Sequence, residues 1–304
     1  MGRELEDVVV SDFLDSVIPA TPVATTLINP RSLVIYKDMK VGGSAIASWL
    51  SLHRNAVWLD CEDGSGGMPG RPVNVIREAP KRKSESDDPI WKGRPMTRVE
   101  FCLKLFRELA ACDPPRYQFL IVDKVDCFED WADGWALAAY QNTIIGRDFK
   151  GVSMSELPFQ GWTLWHDKFK VLWAAAKMAA PHVIFLCSLK TTKSKYGDHT
   201  QDAPQGILNA TDLDLGTRQR KTAVGDSDAI GILIRKDDGA NYLSFRSKER
   251  DAFVGSRVQR LEGQTIKLSW LDKDRRLVVD WDALYLPAAR NGELSSEQIN
   301  NKTT

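Results

Sequence analysis

The chain has 304 residues, 43% of them hydrophobic and 27% charged, and its 41 basic and 41 acidic side chains cancel. That composition suits a globular protein with a large core, as one big domain or two smaller ones. Zero net charge excludes an overall basic field, so any nucleic-acid contact must come from a local patch.

No apolar run is long enough to span a bilayer. The start, Met-Gly-Arg-Glu-Leu-Glu-Asp, lacks the apolar core of a signal peptide and the hydroxyl residue of a myristoylation signal. The five cysteines (Cys61, Cys102, Cys112, Cys127, Cys187) show no CxxC spacing and sit mostly in apolar segments. Reduced, structural thiols are expected, without disulfides or zinc. These features predict a soluble protein of the cytoplasm.

Residues 1–30 read as a polar lead-in with one short amphipathic piece, Val8 to Val17. Leu33 to Tyr36 then reads as a buried strand and Ala45 to Leu52 as the start of a helix. Between them lies Lys37-Asp-Met-Lys-Val-Gly-Gly-Ser44. A strand, eight residues ending in Gly-x-Ser/Thr, then a helix is the layout of a phosphate-binding loop, usually spelled G-x-x-x-x-G-K-[ST]. There, backbone N–H groups and a helix N-terminus wrap an anion. The second glycine (Gly42) and the hydroxyl (Ser44) are in place. Lys37 stands for the first glycine and Gly43 for the lysine.

Asn55 to Cys61 reads as a second buried strand, ending in Asp60-Cys-Glu62-Asp63 before a glycine-rich turn. Acidic residues at such a strand end either face the ligand crevice of an open α/β sheet or form a solvated turn. Val73 to Arg77 suggests a short strand, and Lys81 to Asp88 an exposed charged loop. Thr97 to Cys112 carries apolar residues at helical spacing and stops at Asp113-Pro-Pro115. Tyr117 to Val122 is the clearest strand, and it ends at Asp123. An apolar run followed by Asp is the second half of a P-loop site, where the carboxylate holds Mg²⁺ opposite the loop hydroxyl.

Further on, Trp131 to Tyr140 and Trp162 to Ala180 predict helices, the second with a core stripe of Trp162, Trp165, Phe169 and Trp173. His182 to Cys187 predicts a strand ending at Ser188-Leu-Lys190. Thr191 to Val224 reads as a polar loop with a basic run, Arg218-Gln-Arg220-Lys221. Ala229 to Arg235 and Asn241 to Phe245 alternate as a hairpin through Asp237-Asp-Gly239. Leu261 to Trp270 and Leu277 to Trp281 suggest further strands, and residues 287–304 a polar tail. Strand and helix alternate, then strands follow. The fold expected is α/β, a mostly parallel sheet with helices on both faces and an antiparallel C-terminal extension.

With these segments in this order, the chain resembles the phage-encoded RecA-like P-loop ATPases of recombination and single-strand annealing. The matching stretches are Leu33–Ser44, Trp58–Asp63, Phe119–Asp126, Val183–Lys190, Asp228–Leu233 and Leu243 to Arg257. The resemblance implies a lead-in (1–30), a RecA-like P-loop domain (31–286) and a tail (287–304), acting in a host cytoplasm. It implies ATP and Mg²⁺ as cofactors, with Lys40, Val41, Gly42, Gly43, Ser44 and Ala45 at the nucleotide. Ser44 and Asp123 would hold the metal, Glu62 would activate the attacking water, and Ser188 would be the polar sensor at a strand end. The implied partners are single-stranded DNA, further copies of the chain and a single-strand DNA-binding protein.

The departures weigh on activity. Lys37 puts a side chain at a turn that favours glycine. Gly43 removes a charge-assisted phosphate contact, a loss of a few kcal/mol, on the order of a hundredfold. Lys124 follows Asp123 where small hydroxylated residues are common in the family, and Ser188 stands where the family often has His. Two readings follow: a RecA-like protein that binds nucleotide with impaired hydrolysis, or a catalytically silent DNA-binding or assembly module on the same fold. Arg218, Arg220, Lys221, Lys248 and Arg250 are candidate DNA-contacting or trans-acting cations.

Overall fold

The structure, a computed structural model, describes residues 27–37, 40–87, 92–153, 156–195, 207–246 and 254–286. In chain order the elements are β1 (Ser32–Lys37), α1 (Gly43–His53), β2 (Ala56–Asp60), β3 (Pro72–Asn74), α2 (Val75–Glu78), α3 (Arg98–Ala110) and β4 (Phe119–Asp123). Then come α4 (Asp126–Gln141), α5 (Phe159–Met178), β5 (His182–Lys195), β6 (Ile207–Leu213), α6 (Thr217–Asp226) and β7 (Ala229–Arg235). The chain ends with β8 (Asn241–Ser244), β9 (Gly255–Ser256), β10 (Thr265–Leu271) and β11 (Leu277–Val279).

All strands join one sheet in the order β11-β10-β8-β7-β1-β5-β4-β2-β3, with β6 on β5 and β9 on β7. From β3 across to β7 every pairing on this path is parallel. The pairings of β8, β10 and β11 are antiparallel. This is the α/β architecture expected of a RecA-like core, with the antiparallel extension on one edge.

The central strand shows why. Successive side chains of a strand point to opposite faces. Val34 and Tyr36 enter one buried layer with Phe106 of α3, Phe128 of α4, and Phe169 and Trp173 of α5. Leu33 and Ile35 enter the other, with Ile46 and Leu50 of α1 and Trp281, Leu284 and Tyr285. Burial on both faces is what makes such a strand read as a continuous apolar run. Helix α3 starts on a capping box in which Thr97 and Glu100 each accept from the other's backbone N–H.

Several boundaries differ from expectation. Only Val73 and Asn74 of the predicted strand at Val73 to Arg77 are extended, because the Asn74 side chain accepts from the Arg77 N–H and caps α2. The charged stretch near Lys81 is not wholly exposed: Ser84 is buried and donates to Glu100. In the predicted core stripe, Phe169 and Trp173 are buried but Trp162 is largely exposed.

The polar loop expected at Thr191 to Val224 is also overturned. Strand β5 runs on to Lys195 and pairs antiparallel with β6 from Leu189↔Leu213 to Lys195↔Ile207, and α6 follows. Backbone pairing in such a ribbon needs no buried apolar face, so it leaves no hydrophobic alternation to read. The amphipathic piece at Val8 to Val17, the tail from residue 287, and Lys248 and Arg250 lie outside the described residues. Among the described residues, no helix is long and apolar enough to cross a membrane.

Candidate functional site

The ends of β1, β2 and β4 meet along one rim of the sheet, beside the middle of β5. Parallel register sets Lys37 beside Ser188 and Asp60 beside Asp123.

Just ahead of α1 the chain turns tightly. Lys40 (φ 63°) and Gly42 (φ 99°) both take left-handed backbone conformations, and Gly42 is the N-cap of α1. Left-handed residues in such a turn gather backbone N–H groups into an anion-binding hollow. No side chain caps the helix start, so the N–H groups of its first turn are left for a ligand or water. Gly42 is needed here on two counts: its φ, and the Asn241 Nδ2 only 3.3 Å from where a Cβ would sit.

Lys37 does not sit in the turn. It is the last residue of β1 and is not among the left-handed positions, so the steric objection to a lysine there disappears. Its side chain arches over Gly43. The Cδ and Cε atoms fill the space that a Cβ at Gly43 would need, and Nζ lies 3.3 Å from that point.

Ser44, in the first turn of α1, donates its hydroxyl to Asp123 at the end of β4. Asp123 is 5% exposed. Burial is the main cause of a raised carboxyl pKa. The Ser44 hydrogen bond and the positive charge of Lys37 oppose it, and the carboxylates of Asp60 and Glu62 add to it. Ser44 and Asp123 therefore stand together at the turn, with Lys37 within electrostatic reach of the carboxylate. Mg²⁺ is typically held by one or two carboxylates with substrate phosphates and water, not by an all-protein cage. Ser44 and Asp123 fit that donor set. The described residues hold no group of three His, Cys, Asp or Glu arranged for a metal. The exposed Lys40 and the half-buried Val41 and Ala45 complete the loop and the opening of α1, Val41 packing against the core layer beneath it.

The other two predicted residues form a second cluster around a residue that sequence reasoning had counted only as a departure. Lys124 Nζ lies 2.9 Å from Glu62, 3.0 Å from the Ser188 hydroxyl and 3.4 Å from Asp126. Partial burial works against the lysine's charge. The Glu62 and Asp126 carboxylates outweigh it and push the pKa above the usual lysine range. Asp126 also accepts the Ser188 N–H at 3.0 Å and the Cys187 thiol at 2.9 Å. The peptide between Asp123 and Lys124 is cis.

Asp60, named in the sequence only as part of the acidic strand end, is buried and organises the acidic turn. Its carboxylate accepts the N–H groups of Glu62, Gly64 and Ser65 and the Asn74 amide at 2.9–3.2 Å. On the other side of the turn, Arg235 at the end of β7 donates to Asn241 at 3.2 Å, which brings the hairpin against Gly42. The available signal for Lys124 and Arg235 was position at a strand end, the same signal that found Asp123.

A central strand ending in a glycine turn that opens a helix, with a carboxylate at the end of a neighbouring strand, defines a P-loop protein of α/β fold. The chain belongs to the AAA_24 family of AAA domains, whose profile matches residues 29–263. No curated protein sequence matches it. Among solved structures, the RadB recombinase is similar over 82% of this chain and 91% of its own, at 11% identity and a TM-score of 0.35.

Proposed function

We propose that the chain is a RecA-like P-loop protein that binds a nucleoside triphosphate with Mg²⁺ and works on single-stranded DNA in recombination. The observation that carries this reading is the Ser44 hydroxyl donating to the buried Asp123 carboxylate beside an uncapped helix N-terminus. In this reading the loop amides of 40–45 bind the phosphates and Ser44 and Asp123 hold the metal. When bound, Mg²⁺ supplies charge neutralisation on the phosphoryl oxygens. Glu62 is the candidate base toward water and Ser188 the candidate sensor. A phage origin, with action in a host cytoplasm, belongs to the same reading and rests on the sequence resemblance.

The DNA part draws support from a groove of about 590 Å³ between α5 and α6, where His166 and Lys170 face Arg218 and Lys221, with Asp226 also on its wall. Cations clustered in a groove attract a polyanion. Assembly into oligomers on DNA, with a single-strand DNA-binding protein as a further partner, belongs to the same proposal.

The Glu62–Lys124 ion pair favours a second reading, a catalytically silent module on the same fold: the carboxylate that would activate water is engaged by the lysine ammonium. Calorimetric titration of the parent with Mg-ATP tests binding, and Glu62→Gln separates the two readings. The first expects Glu62→Gln to bind as the parent does and lose turnover. Unchanged turnover leaves the silent module. Single-stranded DNA binding should weaken steeply with salt, and no binding at low salt would remove the DNA assignment.

A further inference from the structure

We propose that Lys37 supplies the phosphate-binding ammonium that the loop lacks at residue 43, so that the two departures from the P-loop pattern are one exchange. This rests on the nucleotide-binding reading above.

Three observations converge. First, the space beside the Gly43 Cα is already filled by the Lys37 stem, so residue 43 has to be glycine while Lys37 lies there. Second, the strand geometry of Lys37 aims its stem across the turn, and no left-handed backbone is needed to do so. Third, Lys37 Nζ reaches to 3.3 Å from the side-chain position of residue 43, at the start of the helix whose first N–H groups no side chain caps. A cation there stands at the mouth of the hollow lined by backbone N–H groups.

Lys40, the other lysine of the loop, is exposed and is not among the nearest atoms to either glycine position. Arg235 approaches Gly42 but is held by Asn241. Lys37 is therefore the cation placed to touch a phosphate bound at the turn. A lysine contributes a mobile point charge and tolerates a change of anchor provided its ammonium arrives at the same place.

The exchange is tested by titrating Mg-ATP, read by calorimetry, into the parent, Lys37→Met and the double variant Lys37→Gly/Gly43→Lys. Methionine keeps the stem over Gly43 and removes only the charge. The expected results are a loss of about tenfold to a hundredfold in affinity for Lys37→Met and recovery to within about threefold of the parent in the double variant. Thermal unfolding without nucleotide reports whether each variant folds. If Lys37→Met fails to fold, the double variant decides alone: parental affinity supports the exchange and lost affinity overturns it. Parental binding that persists in Lys37→Met overturns the exchange and leaves the nucleotide reading standing. No Mg-ATP binding by the parent overturns both.

Discussion

Replacing Asp123 by Asn should make the protein more stable and a poorer binder of Mg-nucleotide. The carboxylate is nearly inaccessible, and the net push on its pKa is upward despite Ser44 and Lys37. A group whose folded pKa is raised contributes stability at low pH that is lost as pH rises through that value. Burial therefore makes the ionised form of Asp123 costly to hold in the folded protein, with Asp60 and Glu62 adding repulsion. An isosteric amide removes that cost. Relief of strain at a functional carboxylate is typically about 0.5–2 kcal/mol, or roughly 2–6 °C in a domain of this size class. The same change removes a charged ligand of the metal, worth about 1.5–3 kcal/mol, or roughly 10- to 150-fold in Kd. With Mg-ATP at a hundred times the parent's Kd, the parent gains about 2.7 kcal/mol of stability, and the variant would gain only about 0.3–1.4. Thermal unfolding with and without Mg-ATP reads both effects. A lower baseline midpoint for Asp123→Asn would refute the electrostatic argument, and an undiminished ligand-induced shift would refute the metal assignment.

Two other perturbations probe parts of the fold away from the turn. Burial holds the Glu129 carboxyl up at about 7 even though the Gly216 N–H donates to it, and Asp133 is raised to about 6, again mainly by burial. Both are raised, so their stabilising effect is complete below the ordinary carboxylate range and fades as pH climbs toward 7. The unfolding midpoint of the parent should fall between pH 5 and 7.5, and Glu129→Gln should flatten that fall; an equal slope in the two proteins would contradict it. Trp173 is 1% exposed and stacks on Phe185 with ring centroids 3.9 Å apart. Trp173→Ala should cost about 3–5 kcal/mol in urea unfolding, and a loss below about 1 would mean that α5 is not anchored there.

What could be read in the sequence depended on which physics left a linear trace. β1 and β4 are buried on both faces by helices, so Leu33 to Tyr36 and Phe119 to Val122 stand out as apolar runs. Asp123 and Glu62 could be singled out as candidates because parallel strands deliver their ends to one rim, which makes end position informative. The β5–β6 ribbon was missed because its pairing is a backbone matter and the stretch 190–195 of β5 is polar throughout. Helix α6 was missed as well: its basic run masked the buried face that carries Gln219 and Ala223. Lys124 sat in plain view beside Asp123, yet its role depends on Glu62 and Ser188 reaching it from two other strands. No spacing along the chain encodes that.

Lys37 shows the same point most sharply. A position-by-position comparison scores it as a lost glycine and Gly43 as a lost lysine, two independent faults in one loop. In three dimensions the faults share a volume: the stem of one residue occupies the side-chain space of the other. A phosphate responds to where positive charge is and how well it is desolvated, not to which Cα carries it. The loop's geometry is kept by Lys40 and Gly42, which carry the left-handed turns, while β1 is free to end in any residue that tolerates an extended backbone. Separating the residue that shapes the turn from the residue that charges it is what permits a lysine to migrate across the loop without disturbing the fold.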